Sequence, residues 1–269
     1  MSTSFCRPET CLAPSVPVRS ALVGCLTVNT THGPYLLRLA RSEEERTAAY
    51  RLRFEVFNLE LKEGLDTAYA SGQDIDEFDP ICDHLIVEDR RRGRVVGTYR
   101  LQTGSTAAGY AGYYSEREFD FGPYEALRGS MVELGRACIH LEHRSTEVLL
   151  LLWRGIVQYA IHNSARYLIG CCSLTSQDPA EGTSVFAALS RSLAQPWLRT
   201  RPQAEFTMPL VREAEHEPRI PKLLRTYLAV GAKICGPPAI DREFKTIDFL
   251  TLMDLDQLNI RLRSRLLKQ

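Results

Sequence analysis

Residues 130–174, SMVELGRACIHLEHRSTEVLLLLWRGIVQYAIHNSARYLIGCCSL, decide the architecture. Ser130 to Leu141 reads as a central strand that carries two charges, Glu133 and Arg136, on an otherwise apolar element. From Ser145 to Asn163 apolar residues run almost all round a helix, which predicts a buried one. Tyr167 to Leu174 then reads as a second buried strand. Toward the N-terminus, Tyr35 to Ala40 is a strand, and Ser42-Glu43-Glu44-Glu45 has the Ser-x-x-Glu form of a capping box that opens a helix to about Leu61. Ala49, Leu52 and Val56 share one face of that helix, and Arg53 and Phe57 lie four apart on another. His84 to Glu88 and Arg94 to Leu101, joined by a charged turn at Arg91 to Gly93, form an antiparallel hairpin. Gly104 to Gly129 is compatible with either strand or helix. Beyond residue 174 the pattern gives a helix at Pro179 to Leu193, a strand at Glu205 to Val211, a helix at Pro221 to Val230 and a strand at Phe244 to Met253. A basic amphipathic helix with Leu255, Leu258, Leu262 and Leu266 on one side closes the chain. The sum is an α/β (α+β) layout with a mixed central sheet flanked by helices. Residues 1–32, rich in Ser, Thr, Pro and Cys, are expected to be a loose arm, and residues 33–269 one domain.

Composition narrows the function. The 33 basic and 33 acidic side chains leave no net charge, whereas a dedicated nucleic-acid binder needs a basic excess to neutralise phosphates. The eight cysteines include no C-x-x-C and sit mostly in apolar strings such as LIGCCSL, as buried free thiols do in a reducing cytosol. The longest fully apolar stretch, Val148 to Trp153, is far short of the ~20 residues of a membrane span. The N-terminal segment also lacks the basic start of a secretory signal, so a cytoplasmic protein is expected.

One irregular segment, residues 63–83, holds Glu63, Asp66, Asp74, Asp76, Glu77, Asp79 and Asp83 with no Lys or Arg among them. Around it the charges fall in a fixed order: Arg53 with Phe57, Asp76 with Asp79, Arg100 at a strand end, and Glu133 with Arg136. The order Arg-x-x-x-Phe, Asp-x-x-Asp, Gly-x-x-Arg-Leu (Gly97 to Leu101) and Glu-x-x-Arg resembles that of acyl-homoserine lactone synthases. The longer strings YRLRFEVF, DEFDPICDHLIV, VVGTYRL, ELGRACIH, YLIGCCSL and FKTIDF are more similar still to the bacterial hemolysin-like, ornithine-lipid-forming N-acyltransferases. Both groups have the GNAT acyltransferase fold. The resemblance spans about residues 35–253, and its specificity lies in the combined order, since each motif alone is weak.

The resemblance implies a GNAT-like acyl-CoA N-acyltransferase fold. It also implies transfer of a long-chain (3-hydroxy)acyl group from acyl carrier protein to the α-amine of an amino acid, ornithine first among them, as the opening step of ornithine lipid synthesis. Joining a thioester to an amine needs a neutral amine and a stabilised oxyanion. Glu133 is the implied base, with Arg136 and Asp79 beside it. Arg53, Phe57, Asp76, Asp83, His84 and Arg100 are the implied substrate-binding set. Residues i and i+3 on a strand face opposite ways, so Glu133 and Arg136 share a site only across a bulge. The acidic segment has two readings: a trap for a cationic acceptor, or ion partners for Arg53, Arg100 and Arg136.

The donor turn, EHRSTEV, has no glycine between Glu142 and Arg154, whereas coenzyme A enzymes of this fold usually cradle a pyrophosphate on a glycine-containing turn. Arg144, Ser145 and Thr146 therefore suit the single phosphate of a phosphopantetheine arm, although Ser145 also reads as a plain helix cap. No metal or cofactor is expected beyond that acyl-phosphopantetheine thioester. An acidic carrier protein calls for a basic docking patch, either Arg90, Arg91, Arg92 and Arg94 or Arg261, Arg263, Arg265 and Lys268. The terminal helix also suits peripheral contact with the inner membrane surface.

The rival functions are an acyl-homoserine lactone synthase consuming S-adenosylmethionine, an N-acyl amino acid synthase using glycine, tyrosine or lysine, and a non-catalytic membrane-associated lipid binder. A cysteine hydrolase at Cys82, Asp83 and His84 is disfavoured because strand neighbours diverge. A zinc site of Cys171 and Cys172 with His84 or His140 is disfavoured for the same reason.

Overall fold

The computed structural model describes residues 28–211, 217–258 and Leu266. In chain order come β1 (Asn29–His32), β2 (Tyr35–Leu39), α1 (Glu43–Phe54), α2 (Ala68–Ser71), β3 (Asp83–Asp89), β4 (Arg94–Thr103), α3 (Gly104–Ala108), β5 (Met131–Ile139), α4 (Thr146–His162), β6 (Tyr167–Leu174), α5 (Pro179–Ala188), α6 (Lys222–Ala229), β7 (Lys233–Ile234), β8 (Ala239–Asp241) and β9 (Thr246–Asp254). The strands form one sheet in the order β1-β2-β3-β4-β5-β6-β9-β7, with β8 also on β9. Every pairing is antiparallel except β5 with β6. That exception needs a long crossover, and α4 supplies it.

Alternation along the strands assigns the two faces. Ile86 packs with Ala49, Leu52 and Val56 of the α1 segment, while its neighbours Leu85 and Val87 join Val148, Leu152 and Ile156 of α4. The two helices therefore cover opposite sides of the sheet. Helix α4 lies so close that a Cβ on Gly155 would come within 2.8 Å of Leu85 and 3.0 Å of Leu37. Helix α1 starts where the capping box places it, with the Ser42 hydroxyl accepting from Glu45 N and the Glu45 carboxylate accepting from Ser42 N, both at 3.3 Å. It then widens into a π-helical stretch at Glu55–Glu60.

Four segments bear on the expectations. Residues 29–32 of the supposed loose arm are a strand paired with β2, and Val28 before them is buried in the main core. The strand expected at Glu205 to Val211 is a single 3-10 turn, Ala204–Phe206, with one bridge from Thr207 to Ala239, since Pro209 cannot donate to a ladder. Gly104 to Gly129 resolves into α3 and 3-10 turns. Of the terminal helix, Leu258 and Leu266 are buried in the core, and Arg261, Arg263, Arg265 and Lys268 lie outside the described residues.

Arg53 ties α1 to the acidic segment. It is 0% exposed, and its Nη1 and Nη2 donate to the two oxygens of Asp79 at 2.6 and 2.9 Å while Nε donates to Asp74 at 2.7 Å. Burial alone would push the Asp79 carboxyl up, but the charges of Arg53 and Arg100 more than reverse this and hold it at about 2. A carboxylate lowered in the folded state contributes stability above its unfolded value of about 3.9 and loses it as the pH falls through the folded value. Acid unfolding is thus expected to steepen between roughly pH 4 and pH 2. Arg53→Met, which strands two buried carboxylates, is expected to lower the unfolding free energy by about 3–5 kcal/mol and to weaken that acid dependence. Urea titrations at several pH values measure both.

Candidate active site

The parallel pair that α4 connects does not stay paired. The β5–β6 ladder covers only Met131–Glu133 against Tyr167–Ile169, while β6 remains bonded to β9 over its whole length. At the point of parting, a Cβ on Gly170 would stand 2.2 Å from the Leu134 carbonyl oxygen, so only glycine fits. β5 turns away through a bulge: its register with β4 shifts between Thr98 and Arg100, and Arg136 takes a φ of 50°. The wedge this opens is a cavity of about 560 Å³, within the ~300–1,000 Å³ of small-molecule sites. Leu134 and Ile139 of β5, Ser173 of β6, Phe57 after α1, Leu149 of α4 and Leu223 of α6 are among its walls. The bulge brings Glu133 and Arg136 to this one cavity.

Glu133 is 5% exposed. Its Oε2 accepts from Tyr114 N at 2.8 Å, and its Oε1 accepts from Ser115 N at 2.8 Å and from the Ser115 hydroxyl. Burial raises its pKa, and the Ser115 hydroxyl and backbone N–H hold that rise back. A buried carboxylate on the wall of a cleft with a raised pKa has the electrostatics of a proton acceptor.

Behind the cavity the predicted charges assemble differently from expectation. Asp76 accepts from Arg100 at 2.6 Å and from Arg136 at 2.7 Å, one carboxylate oxygen each. With Arg53, Asp74 and Asp79 this makes three guanidinium groups against three carboxylates, their side chains at most 9% exposed. Burial costs Asp76 charge, but Arg100 and Arg136 hold its carboxyl far below the usual range. Arg136 also lies 4.0 Å over the Phe244 ring, and Arg100 5.4 Å from that of Tyr114. Phe57, Arg100 and Arg136 reach the cavity. Arg53, Asp76, Asp79 and His84 are not among its walls. The widened helical turn at Glu55–Glu60 separates Arg53 from Phe57.

Asp74, Asp76 and Asp79 of the acidic segment are therefore neutralised by arginines, whereas Glu63 lines the cavity and accepts from the Thr175 hydroxyl at 2.7 Å. Asp83 points to the other face and accepts from the Tyr159 hydroxyl at 2.6 Å. His84 bonds the Asp79 carbonyl through Nε2 at 3.1 Å, and burial lowers its pKa to about 4. Cys82 is pushed up to about 12 by burial, the opposite of an activated nucleophile.

At the donor turn, Ser145 caps α4 by accepting from Val148 N at 3.3 Å. Arg144 lines the cavity while donating to both oxygens of Glu60 at 2.6 and 2.7 Å. Thr146 is the first residue of α4 and exposed. Among the described residues two trios bring ligand-type atoms within 4.8 Å of one another: His140, Glu142 and His143, and the buried Glu118, Asp241 and Asp248. Sequence reasoning missed Tyr114, Ser115, Glu118 and Asp241, which come from irregular segments. Asp248 stood within FKTIDF without being singled out.

The family described as Acetyltransferase (GNAT) domain matches residues 52–154. Among curated proteins, L-ornithine N(alpha)-acyltransferase of Rhodobacter capsulatus is 34% identical over 232 residues, 82% of this chain and 90% of the relative. The protein of the same name from Rhizobium meliloti is 31% identical over 240 residues, covering 83% and 81%. Among solved structures, FeeM, an N-acyl amino acid synthase from uncultured soil microbes, aligns with a TM-score of 0.53 at 13% identity, over 87% of this chain and 94% of its own. The AHL synthase LasI gives 0.51 at 12% over the same shares. At such identities these two speak for the fold alone, and that fold is GNAT. The sequence kinship goes further: this chain is an acyltransferase and belongs to the L-ornithine N(alpha)-acyltransferase family.

Proposed function

We propose that the protein moves a long-chain (3-hydroxy)acyl group from the phosphopantetheine thioester of acyl carrier protein to the α-amine of ornithine, the first step toward an ornithine lipid. The observation that carries this is Glu133, a buried carboxylate with a raised pKa on the wall of a largely apolar wedge. Ornithine as acceptor rests on the names of the relatives.

In the reaction Glu133 takes a proton from the acceptor's ammonium, and the freed lone pair attacks the thioester carbon. The C–N bond forms and the C–S bond breaks. Nitrogen gives up two protons in all: Glu133 passes one to solvent, and the other leaves with the thiolate as thiol. The developing oxyanion lies along the edge of β5 that no longer pairs with β6. Arg100 and Arg136, which line the cavity, offer guanidinium N–H groups to the acceptor's own carboxylate. Apolar walls from Val56 to Leu223 take the acyl chain.

Support for a carrier-protein donor comes from the glycine-free turn at the start of α4 and from Lys222 on the cavity wall, where Arg144 is itself held by Glu60. The hairpin patch is weaker as a dock. Arg94 is engaged by Glu55 at 2.6 Å and Arg91 by Asp89 at 3.3 Å. Among the described residues no helix is long and apolar enough to cross a membrane.

Three outcomes are expected. Glu133→Gln folds like the parent but loses roughly 10²–10⁴-fold in kcat; a folded variant of full rate would remove the base. With both substrates saturating, kcat falls on the acid side around a midpoint above the ordinary carboxylate range, because a raised pKa keeps Glu133 protonated to higher pH, and the Gln variant lacks that limb. With a pool of amino acids and mass detection of products, palmitoyl-type acyl carrier protein outperforms palmitoyl coenzyme A. Equal turnover of the two would overturn the single-phosphate donor site.

A further inference from the structure

Glu118, Asp241 and Asp248 come from three separate places in the chain and meet beside the wedge. They are 1%, 3% and 4% exposed, and an oxygen of each lies within 4.8 Å of the others. Asp248 and Tyr114 line the main cavity, while Glu118, Asp241 and again Tyr114 line the adjoining one of about 240 Å³. The trio thus stands at the wall between the two. Unlike the aspartates behind Arg100, no Lys or Arg among the described residues bridges any of the three.

Their hydrogen bonds leave part of this acidity unmet. Asp241 is well supplied, accepting from Glu243 N and Phe244 N at 2.8 and 2.9 Å and from the Tyr114 hydroxyl at 3.3 Å. Asp248 Oδ2 accepts from Thr246 at 3.2 Å, and Glu118 Oε2 from the Cys171 thiol at 3.7 Å. Ser173 bears on Asp248, and Glu118 and Asp248 bear on each other as a hydrogen-bonded acid pair; beyond these contacts Asp248 Oδ1 and Glu118 Oε1 have no donor among the described residues. Burying such oxygens unpaired is costly, and burying three carboxylates together more so, unless a proton or another cation joins them. Burial accordingly raises Glu118 well above the usual range and Asp248 to about 6.

We infer that Glu118, Asp241 and Asp248 form the subsite for a primary ammonium at the end of the acceptor's side chain. This inference rests on the amine-acceptor reading above and adds the residues that select a cationic acceptor. An ammonium has three N–H donors, and a nitrogen about 2.8 Å from three acceptors in tetrahedral directions sets them roughly 4.6 Å apart, which the trio's spacing admits. One short turn joins the subsite to the reaction centre: Tyr114 and Ser115 hold Glu133, and three residues on Glu118 joins the trio. A base for the α-nitrogen and a cage for the distal one would together select a diamino acid over a neutral one.

The test is isothermal titration of the full chain with ornithine and with norvaline, which has the same carbon skeleton without the distal amine, alongside turnover of each with acyl carrier protein donor. Ornithine is expected to bind about 10–100-fold more tightly than norvaline, and Asp248→Asn or Glu118→Gln to bring ornithine down to norvaline's level. Neither variant should melt below the parent, because Asp248→Asn removes a buried negative charge and Glu118→Gln replaces an acid that burial already keeps protonated; a purely structural role would lower melting and leave the ratio intact. An unchanged ornithine-to-norvaline ratio in both variants overturns the inference. So does stoichiometric Mn²⁺ or Ca²⁺ binding that the variants abolish. Equal turnover of norvaline by the parent sinks the subsite while leaving acyl transfer standing. Asp248-dependent ornithine binding without any acylation does the reverse.

Discussion

Three guanidinium groups buried against three carboxylates are the constraint on which the rest is built. Arg53 comes from α1, Arg100 from β4 and Arg136 from β5, and all three converge on Asp74, Asp76 and Asp79 of one irregular segment. Taking six charges out of water is expensive, and it is tolerable because the charges close to zero and each is hydrogen-bonded, Arg53 with Asp79 as a fork. The cluster fixes the segment against the sheet and holds Arg136 in the left-handed conformation that the bulge requires. It also leaves one face of Arg100 and Arg136 toward the cavity.

The wedge follows from that bulge together with the loyalty of β6 to β9. A strand cannot bend toward β4 and stay registered with β6 over its whole length, so the ladder stops after Glu133 and a cavity opens there. Charge is distributed unevenly round it. On the β4 side the acids are matched by arginines; on the β9 side Glu118, Asp241 and Asp248 are not. An amino acid with a carboxylate at one end and an amine at the other meets a field that already distinguishes its ends.

Much of this was legible because it depended on local pattern. The capping box at Ser42, the hairpin around Arg91 to Gly93, and the succession of strand, buried helix and strand from 130 to 174 rest on periodicity and short-range chemistry, and they formed where expected. The order of Arg53, Asp76, Asp79, Arg100, Glu133 and Arg136 carried the kinship. Which of these touch the cavity was not legible, because a π-helical stretch and a bulge each change where a side chain ends up. Ser115 and Glu118 were hidden in a segment without periodicity. Asp241 and Asp248 join Glu118 only through tertiary packing, across more than a hundred residues of chain, and an isolated acid in a sequence has no signature of such company. At Glu205 to Val211 alternation suggested a strand that Pro209 forbids.

The early end of the β5–β6 ladder also bears on what the protein is without its substrates. A sheet interrupted in its middle has two facing borders whose main-chain groups look for company, as those at an outer margin do. An elongated molecule laid between them, with amide linkages along its length, acts as a missing strand and makes the sheet continuous. Part of the affinity for such a guest is then folding energy that the empty polypeptide has yet to realise.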